Sequence, residues 1–172
     1  MKLSLFNIFG WNKKKSKNKR TPQRPKRILK TNKEKSNPEL KRRWIQIREE
    51  FFPNRPDLDS YTVVWSNRPQ KRTLASCSLD FRRIRVAREL RYEQHTHWLN
   101  PLLYHEMCHA YLGFEVEKKG NKRAWHGKEF KGLENRHPQI KALDAWIKAG
   151  GWMTAVRSDR TKRYHQRKKQ VA

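Results

Sequence analysis

Asn100-Pro101-Leu102-Leu103-Tyr104-His105-Glu106-Met107-Cys108-His109-Ala110 is the stretch on which the reading of this chain turns. Asparagine is a good helix cap, and proline, which has no N–H to lose, suits the first helical position, so the segment reads as a helix starting at Asn100-Pro101. Leu102, Leu103, Met107 and Ala110 give it an apolar side, and Gly113 suits its C-terminal cap. On such a helix His105 and His109 lie one turn apart on the same face. Two imidazoles so placed reach one zinc ion at about 2.0–2.1 Å. Glu106, beside the first of them, is placed to act as general base toward zinc-bound water.

A catalytic zinc site needs a third protein ligand and an open position. The metzincin pattern would put Gly at 112 and His at 115, but the chain has Leu112 and Glu115 there. Two downstream candidates remain. His126 opens the run His126-Gly127-Lys128-Glu129-Phe130, and Glu129 in the same run would serve as a carboxylate ligand. Spacing alone leaves both open.

The 172 residues suit one domain with tails. The formal charge of +26 is lopsided: residues 1–43 carry a net +14, residues 157–172 a net +6, and the 113 residues between them only +6. Residues 12–37 hold mainly Lys, Arg, Asn, Ser, Thr and Pro without an apolar period, and read as a disordered basic arm. The organisation expected is therefore a basic arm at 1–37, a domain at 38–156 and a basic tail at 157–172. Two cysteines, Cys77 and Cys108, make neither a disulfide framework nor a CxxC pair. No run approaches the roughly 18–20 apolar residues of a membrane span. The short apolar start, Leu3 to Trp11, precedes its basic run instead of following it, so it does not read as a signal peptide. The expectation is a cytoplasmic or nucleoid- or nucleus-associated protein that is not secreted.

Within 38–156, Leu40, Trp44, Ile47 and Phe51 recur at helical spacing, which predicts a helix over 38–52. Tyr61–Trp65, Thr73–Leu79 and Arg83–Ala87 read as three strands, with Ile84 and Val86 on one face and the arginines on the other. The sheet is expected to be antiparallel. After the His105 helix come a polar loop over 115–124, a helix from about His126 to Asn135, and another from Pro138 to Gly150-Gly151. Helix, strands, then helices predict an α+β domain.

The motif His105-Glu106-Met107-Cys108-His109-Ala110, a loop, then His126-Gly127 with Phe130, closely resembles the SprT-like metalloprotease domain, which includes the Spartan proteases. Trp65-Ser66, Ser76-Cys77-Ser78 and Arg83–Val86 resemble the small sheet that precedes the metal helix in that family, so the resemblance spans roughly 40–150. It implies a zincin-like fold, a Zn2+ cofactor, His126 as the third ligand after His105 and His109, Glu106 as the catalytic residue, and Phe130 as a core residue. Spartan-type enzymes cleave proteins bound or crosslinked to DNA, which implies a protein substrate here. The chain departs from many bacterial relatives in lacking the cysteines of a C-terminal zinc ribbon.

The remaining residues receive plainer readings. His95, His97, His137 and His165 fit no ligand spacing and read as surface or loop histidines. Cys77 and Cys108 read as packing residues, as do Tyr104 and Tyr111, although a phenol can stabilise an oxyanion. Trp125 reads as a wall beside the third ligand, and Trp146 and Trp152 as core. The basic ends predict salt-dependent, sequence-independent association with nucleic acid, DNA in the first place, in preference to an anionic membrane surface or an acidic protein partner. Two functions remain in view: a zinc metallopeptidase acting on proteins at or near nucleic acid, and a non-catalytic nucleic-acid-binding protein with a zinc-stabilised fold. Glu106 favours the first, since a purely structural site has no use for it.

Overall fold

The computed structural model describes residues 34–116, 118–119 and 122–171. The apolar stretch 3–11 and the basic run after it lie outside them. Asn37 caps the first helix, α1 (Pro38–Phe51), by accepting the Leu40 N–H at 3.1 Å, an interaction worth about 1 kcal/mol. Its buried stripe is Leu40, Trp44 and Ile47, and the Trp44 indole donates to the Leu58 carbonyl at 2.8 Å. Each such side chain contributes roughly 1.5–3 kcal/mol by leaving water.

Three strands follow: β1 (Thr62–Trp65), β2 (Ala75–Ser78) and β3 (Arg83–Val86). They form in the expected places, but the sheet is mixed and not antiparallel. Its order is β1-β3-β2, with β3 parallel to β1 and antiparallel to β2. β1 and β3 each bury two apolar residues, Val63 and Val64 in the one and Ile84 and Val86 in the other, while Ser76, Cys77 and Ser78 leave β2 suited to an edge. The chain between β1 and β2 is steered across by Ser66, whose N–H donates to Val86 O at 2.7 Å and whose hydroxyl donates to Arg68 O at 2.8 Å. The residues assigned to the end of the basic arm are bonded to the sheet. Asn37 N–H donates to Val63 O at 2.8 Å, Val63 N–H donates to the Ser36 hydroxyl at 3.1 Å, and Glu34 pairs with Arg83 at 3.2 Å.

The central helix is α2 (Leu99–Leu112). It starts at Leu99, where a 3-10 stretch over Glu93–Trp98 runs directly into it, and it has no side-chain cap. Asn100 lies inside the helix and its side-chain oxygen accepts from Arg43 at 3.0 Å, so the expected capping role is corrected. Gly113 ends α2 as expected, at φ 57°, with its N–H on His109 O at 3.0 Å. The helix is buried on nearly every side: Tyr104, His105, Glu106 and Cys108 are as enclosed as the leucines. α1, β2, α3 (Lys128–Glu134) and α4 (Ile140–Lys148) all pack on it. The stretch after α2 carries the two-residue strands β4 (Lys118–Lys119) and β5 (Lys122–Arg123), paired antiparallel.

Residues 151–171, which take in most of the basic tail, form one helix, α5 (Gly151–Val171). Gly150 turns the chain from α4 into α5 at φ 84°, a left-handed conformation that favours glycine. Trp152, Ala155 and Asp159 are buried along one stripe of α5, and Asp159 accepts from the Tyr92 hydroxyl at 3.0 Å and from Arg163 at 2.6 Å. Among the described residues the fold is thus α+β, with a small three-stranded mixed sheet, a two-stranded ribbon and five α-helices. No helix among the described residues is long and apolar enough to cross a membrane.

Candidate metal centre

His105 and His109 project from the same face of α2, their ring centroids 5.0 Å apart. His126 reaches them from the turn before α3, with its Nε2 3.1 Å from Nε2 of His109. The three residues each offer one ring nitrogen, and these nitrogens all lie within 4.8 Å of one another. Phe130, one turn into α3 and buried, packs on all three rings at centroid distances of 5.0, 4.4 and 4.8 Å. Its place in the core, expected from the sequence, fixes the third histidine relative to the other two.

Burial holds all three histidines below the usual imidazole range, His105 well below it and His109 down to about 2. Neighbouring imidazoles lower His105 and His109 further. Neutral rings carry the lone pairs that bind a metal. Two nitrogens at about 2.0–2.1 Å from one tetrahedral ion sit roughly 3.3–3.4 Å apart, close to the His109–His126 distance. Donor type, protonation and spacing fit a divalent ion of borderline softness.

Two further groups complete the centre. Nδ1–H of a neutral His105 donates to Glu134 Oε1 at 2.6 Å, which leaves Nε2 as the nitrogen able to hold a metal. Metal-ligating histidines characteristically donate their other N–H in this way. Burial pushes the Glu134 carboxyl up. Glu106 is 1% exposed, and its Oε1 has no hydrogen-bond partner among the described residues. Burial pushes it up to about 8, and a hydrogen bond from the Cys77 backbone works in the opposite direction, as would a nearby dication.

That last bond ties the centre to the sheet edge. Antiparallel ladder bonds alternate along a strand. Ala87 N–H donates to Leu74 O at 2.7 Å, so Leu74, Ser76 and Ser78 bond β3, while Ala75 and Cys77 turn their polar groups to the free edge. A cleft of about 460 Å³ lies along this edge, with Glu106, His109 and His126 in its lining. Phe114 and Trp125, 47% and 37% exposed, stand in its wall, Trp125 in the position the sequence suggested.

Glu129, the alternative ligand, is exposed on α3 and outside the histidine cluster. Tyr104 is core: its hydroxyl donates to Leu133 O at 2.6 Å and binds α2 to α3. Tyr111 packs against Phe52 at 4.9 Å and under Arg55, and does not line the cleft. Cys108 is buried, with its thiol pushed up to about 12 by desolvation. Of the histidines read as surface, His95 and His137 are buried: the first beside Trp146, the second between Phe51 and Tyr104.

Glu134 is the residue that sequence reasoning missed. Its signal was available: it follows Phe130 by one turn, on the side of α3 that faces the ligands, and a ligand histidine calls for a carboxylate.

The fold and this centre define a small α+β domain with three histidines placed to hold one metal ion. The sequence matches the model of the SprT-like family over residues 40–145, well over half of the chain. The chain belongs to the SprT-like family. No curated protein matches it.

Proposed function

We propose that the protein is a zinc metallopeptidase with a zincin-like site, in which His105, His109 and His126 hold Zn2+ and Glu106 is the catalytic residue. The observation that supports this reading best is a buried Glu106 whose Oε1 has no partner among the described residues, set beside three converging imidazoles at the wall of an open cleft. The chemistry zinc supplies when bound is Lewis-acid polarisation of the scissile carbonyl and acidification of a water molecule. Glu106 takes the proton from the attacking water at Oε1 and delivers it to the leaving amine. A carboxyl group raised by burial and lowered by the Cys77 hydrogen bond and a bound dication is balanced for both transfers. Glu134 keeps His105 in the ligating tautomer, and Phe130 keeps the rings in place. A purely structural zinc would leave Glu106 as a buried acid without a role, at a cost of several kcal/mol in desolvation.

The substrate in this reading is a protein at or near nucleic acid. Supporting it are the net charge of +26 and the exposed Arg157, Arg160, Arg167, Lys168 and Lys169 of α5, whose only acidic residue, Asp159, is buried. Such a surface releases counterions on meeting phosphates.

The deciding experiment compares the zinc-loaded wild type with Glu106→Gln on a basic protein bound to DNA, with and without the DNA. Cleavage by the wild type alone, faster with DNA, is expected. Equal behaviour of the two proteins would leave only a nucleic-acid-binding protein with a metal-stabilised fold.

A further inference from the structure

The outer face of the sheet carries two arginines that differ in one respect. Arg83 and Arg85 project from the same face of β3, opposite Ser78 and Ser76 of β2. Arg83 is paired with Glu34 at 3.2 Å. The half-buried side chain of Arg85 has no ion pair or hydrogen bond among the described residues. It lines a cavity of about 220 Å³ whose other polar walls are Ser66, Gln70, Thr73 and Ser76. A half-buried guanidinium with the Thr73 and Ser76 hydroxyls in the same cavity, and no carboxylate in its lining, is a site suited to an oxyanion.

This cavity adjoins the metal-centre cleft, because Thr73, Ala75 and Ser76 line both. Its size argues for what enters it. Pockets that hold free small molecules run to roughly 300–1,000 Å³, and this one suits a single side chain. An extended peptide laid along the outer edge of β2 pairs with Ala75 and with the Cys77 carbonyl, the Cys77 N–H being held by Glu106. Side chains alternate between faces along such a strand. A residue opposite Ser76 therefore points to the face that holds Arg85, while its neighbour, opposite Cys77, points toward Glu106 and the histidines. One residue rises about 3.3 Å along a strand, which places this side chain one or two residues from the bond at the metal centre.

We infer that Arg85 forms a specificity subsite that selects an acidic side chain, Asp or Glu, one or two residues from the cleaved bond. This deepens the metallopeptidase reading and rests on it. A polypeptide carboxylate is favoured over a nucleic-acid phosphate by the shared lining of cavity and cleft and by the small volume. No chemistry occurs at the subsite; Arg85 contributes a charge-assisted hydrogen bond.

The test is a cleavage-site profile. The zinc-loaded full chain is incubated with a mixed peptide library, and the cut positions are read by mass spectrometry for the wild type, Arg85→Gln, Arg85→Lys and Arg85→Glu. The wild type is expected to enrich Asp and Glu at one position near the cut, with a preference of about tenfold in kcat/KM over the matched Gln peptide. Arg85→Gln loses that preference and keeps the rate on the Gln peptide. Arg85→Lys keeps it in weaker form, and Arg85→Glu turns it toward Lys and Arg. Cleavage without acidic enrichment, or enrichment unchanged in Arg85→Gln, overturns the subsite and leaves the peptidase reading intact. An Arg85→Gln effect confined to the affinity for a DNA oligonucleotide assigns the cavity to phosphate and overturns it as well. No cleavage of any peptide or protein by the wild type overturns both.

Discussion

His105 Nδ1 and Glu134 Oε1 are 2.6 Å apart, a contact that joins the first clustered histidine of α2 to the last turn of α3. It fixes the ring that starts the centre to the helix that delivers its third member. Because the His105 ring is enclosed, loss of the carboxylate removes the acceptor that fixes its tautomer and orientation. Glu134→Ala is therefore expected to weaken zinc binding by about 10–100-fold, read by competition with a chromophoric chelator. Glu134→Gln, which keeps an acceptor oxygen, should fall between it and the wild type. Equal affinity for all three proteins would remove Glu134 from the centre.

The third-ligand assignment yields a sharper contrast. His126 lies 3.1 Å from His109 through their Nε2 atoms, whereas Glu129 is exposed outside the cluster. His126→Ala should purify with little or no bound zinc, and Glu129→Ala with the wild-type content. Metal analysis of the two variants after dialysis at neutral pH decides it. A metal-replete His126→Ala would refute the ligand set.

Much of this was legible in the sequence, and the misses have physical causes. The His105–His109 helix, its Gly113 terminus and the three strand positions follow from local periodicity and motif spacing, whereas His126 was preferred to Glu129 only through the resemblance to the SprT-like domain. The sheet's parallel pairing does not follow, because β1 and β3 offer equally apolar pairs, Val63-Val64 and Ile84-Val86, and local pattern cannot say which of them takes the centre. The cap at Asn100 failed because a preceding 3-10 stretch supplied the helix start. α5 was hidden by its polarity. Its buried stripe runs Trp152, Ala155, Asp159, and the aspartate breaks an apolar pattern that a hydrogen bond to Tyr92 makes good. Glu134 was missed because its one-turn spacing from Phe130 carries meaning only once α3 is known to pack that face on α2.

The N-terminal boundary can be tested by truncation. Residues 1–33 carry 12 Lys and Arg and no acidic residue, while Ser36 and Asn37 are bonded to Val63 and Asn37 caps α1. Removing 1–33 should weaken DNA binding and flatten its salt dependence while leaving thermal stability unchanged. Removing 1–37 should do the same to binding and also destabilise the fold by about 1–3 kcal/mol, through the lost cap and strand-edge bonds. Binding titrations at several salt concentrations and thermal melts separate the two effects. Identical melts for both truncations would exclude a structural role for residues 34–37.

The buried histidines away from the metal centre make stability depend on pH. Burial holds His95 and His137 below the usual imidazole range. Their folded values lie below their unfolded ones, so both states are uncharged above about 6.5. Below that, the unfolded chain takes up protons that the fold refuses, and stability falls as pH drops. Urea midpoints at pH 5.5 should be lower than at pH 7.5. His137→Phe, in a pocket walled by Phe51 and Tyr104, should shrink that difference. A pH dependence identical to the wild type would mean that His137 protonates equally in both states.

Asp159 sets the attitude of the basic helix. It is fully buried, and it accepts from Tyr92 at 3.0 Å and from Arg163, one turn on, at 2.6 Å. The residues beyond it on α5 are mostly exposed and carry Arg167, Lys168 and Lys169. Asp159→Ala leaves the Tyr92 hydroxyl and the Arg163 guanidinium without their acceptor, and is expected to cost about 2–3 kcal/mol. For a chain of this size that corresponds to a melting temperature lower by roughly 4–12 °C. Tyr92→Phe removes one neutral donor and leaves the Arg163 contact, so its cost should be nearer 1 kcal/mol. If α5 presents its cations to nucleic acid, Asp159→Ala should also weaken DNA binding although the substitution removes a negative charge. Simple electrostatics predicts the reverse, tighter binding. The direction of the affinity change, measured well below the melting temperature, therefore separates a positioned basic helix from a mere store of positive charge.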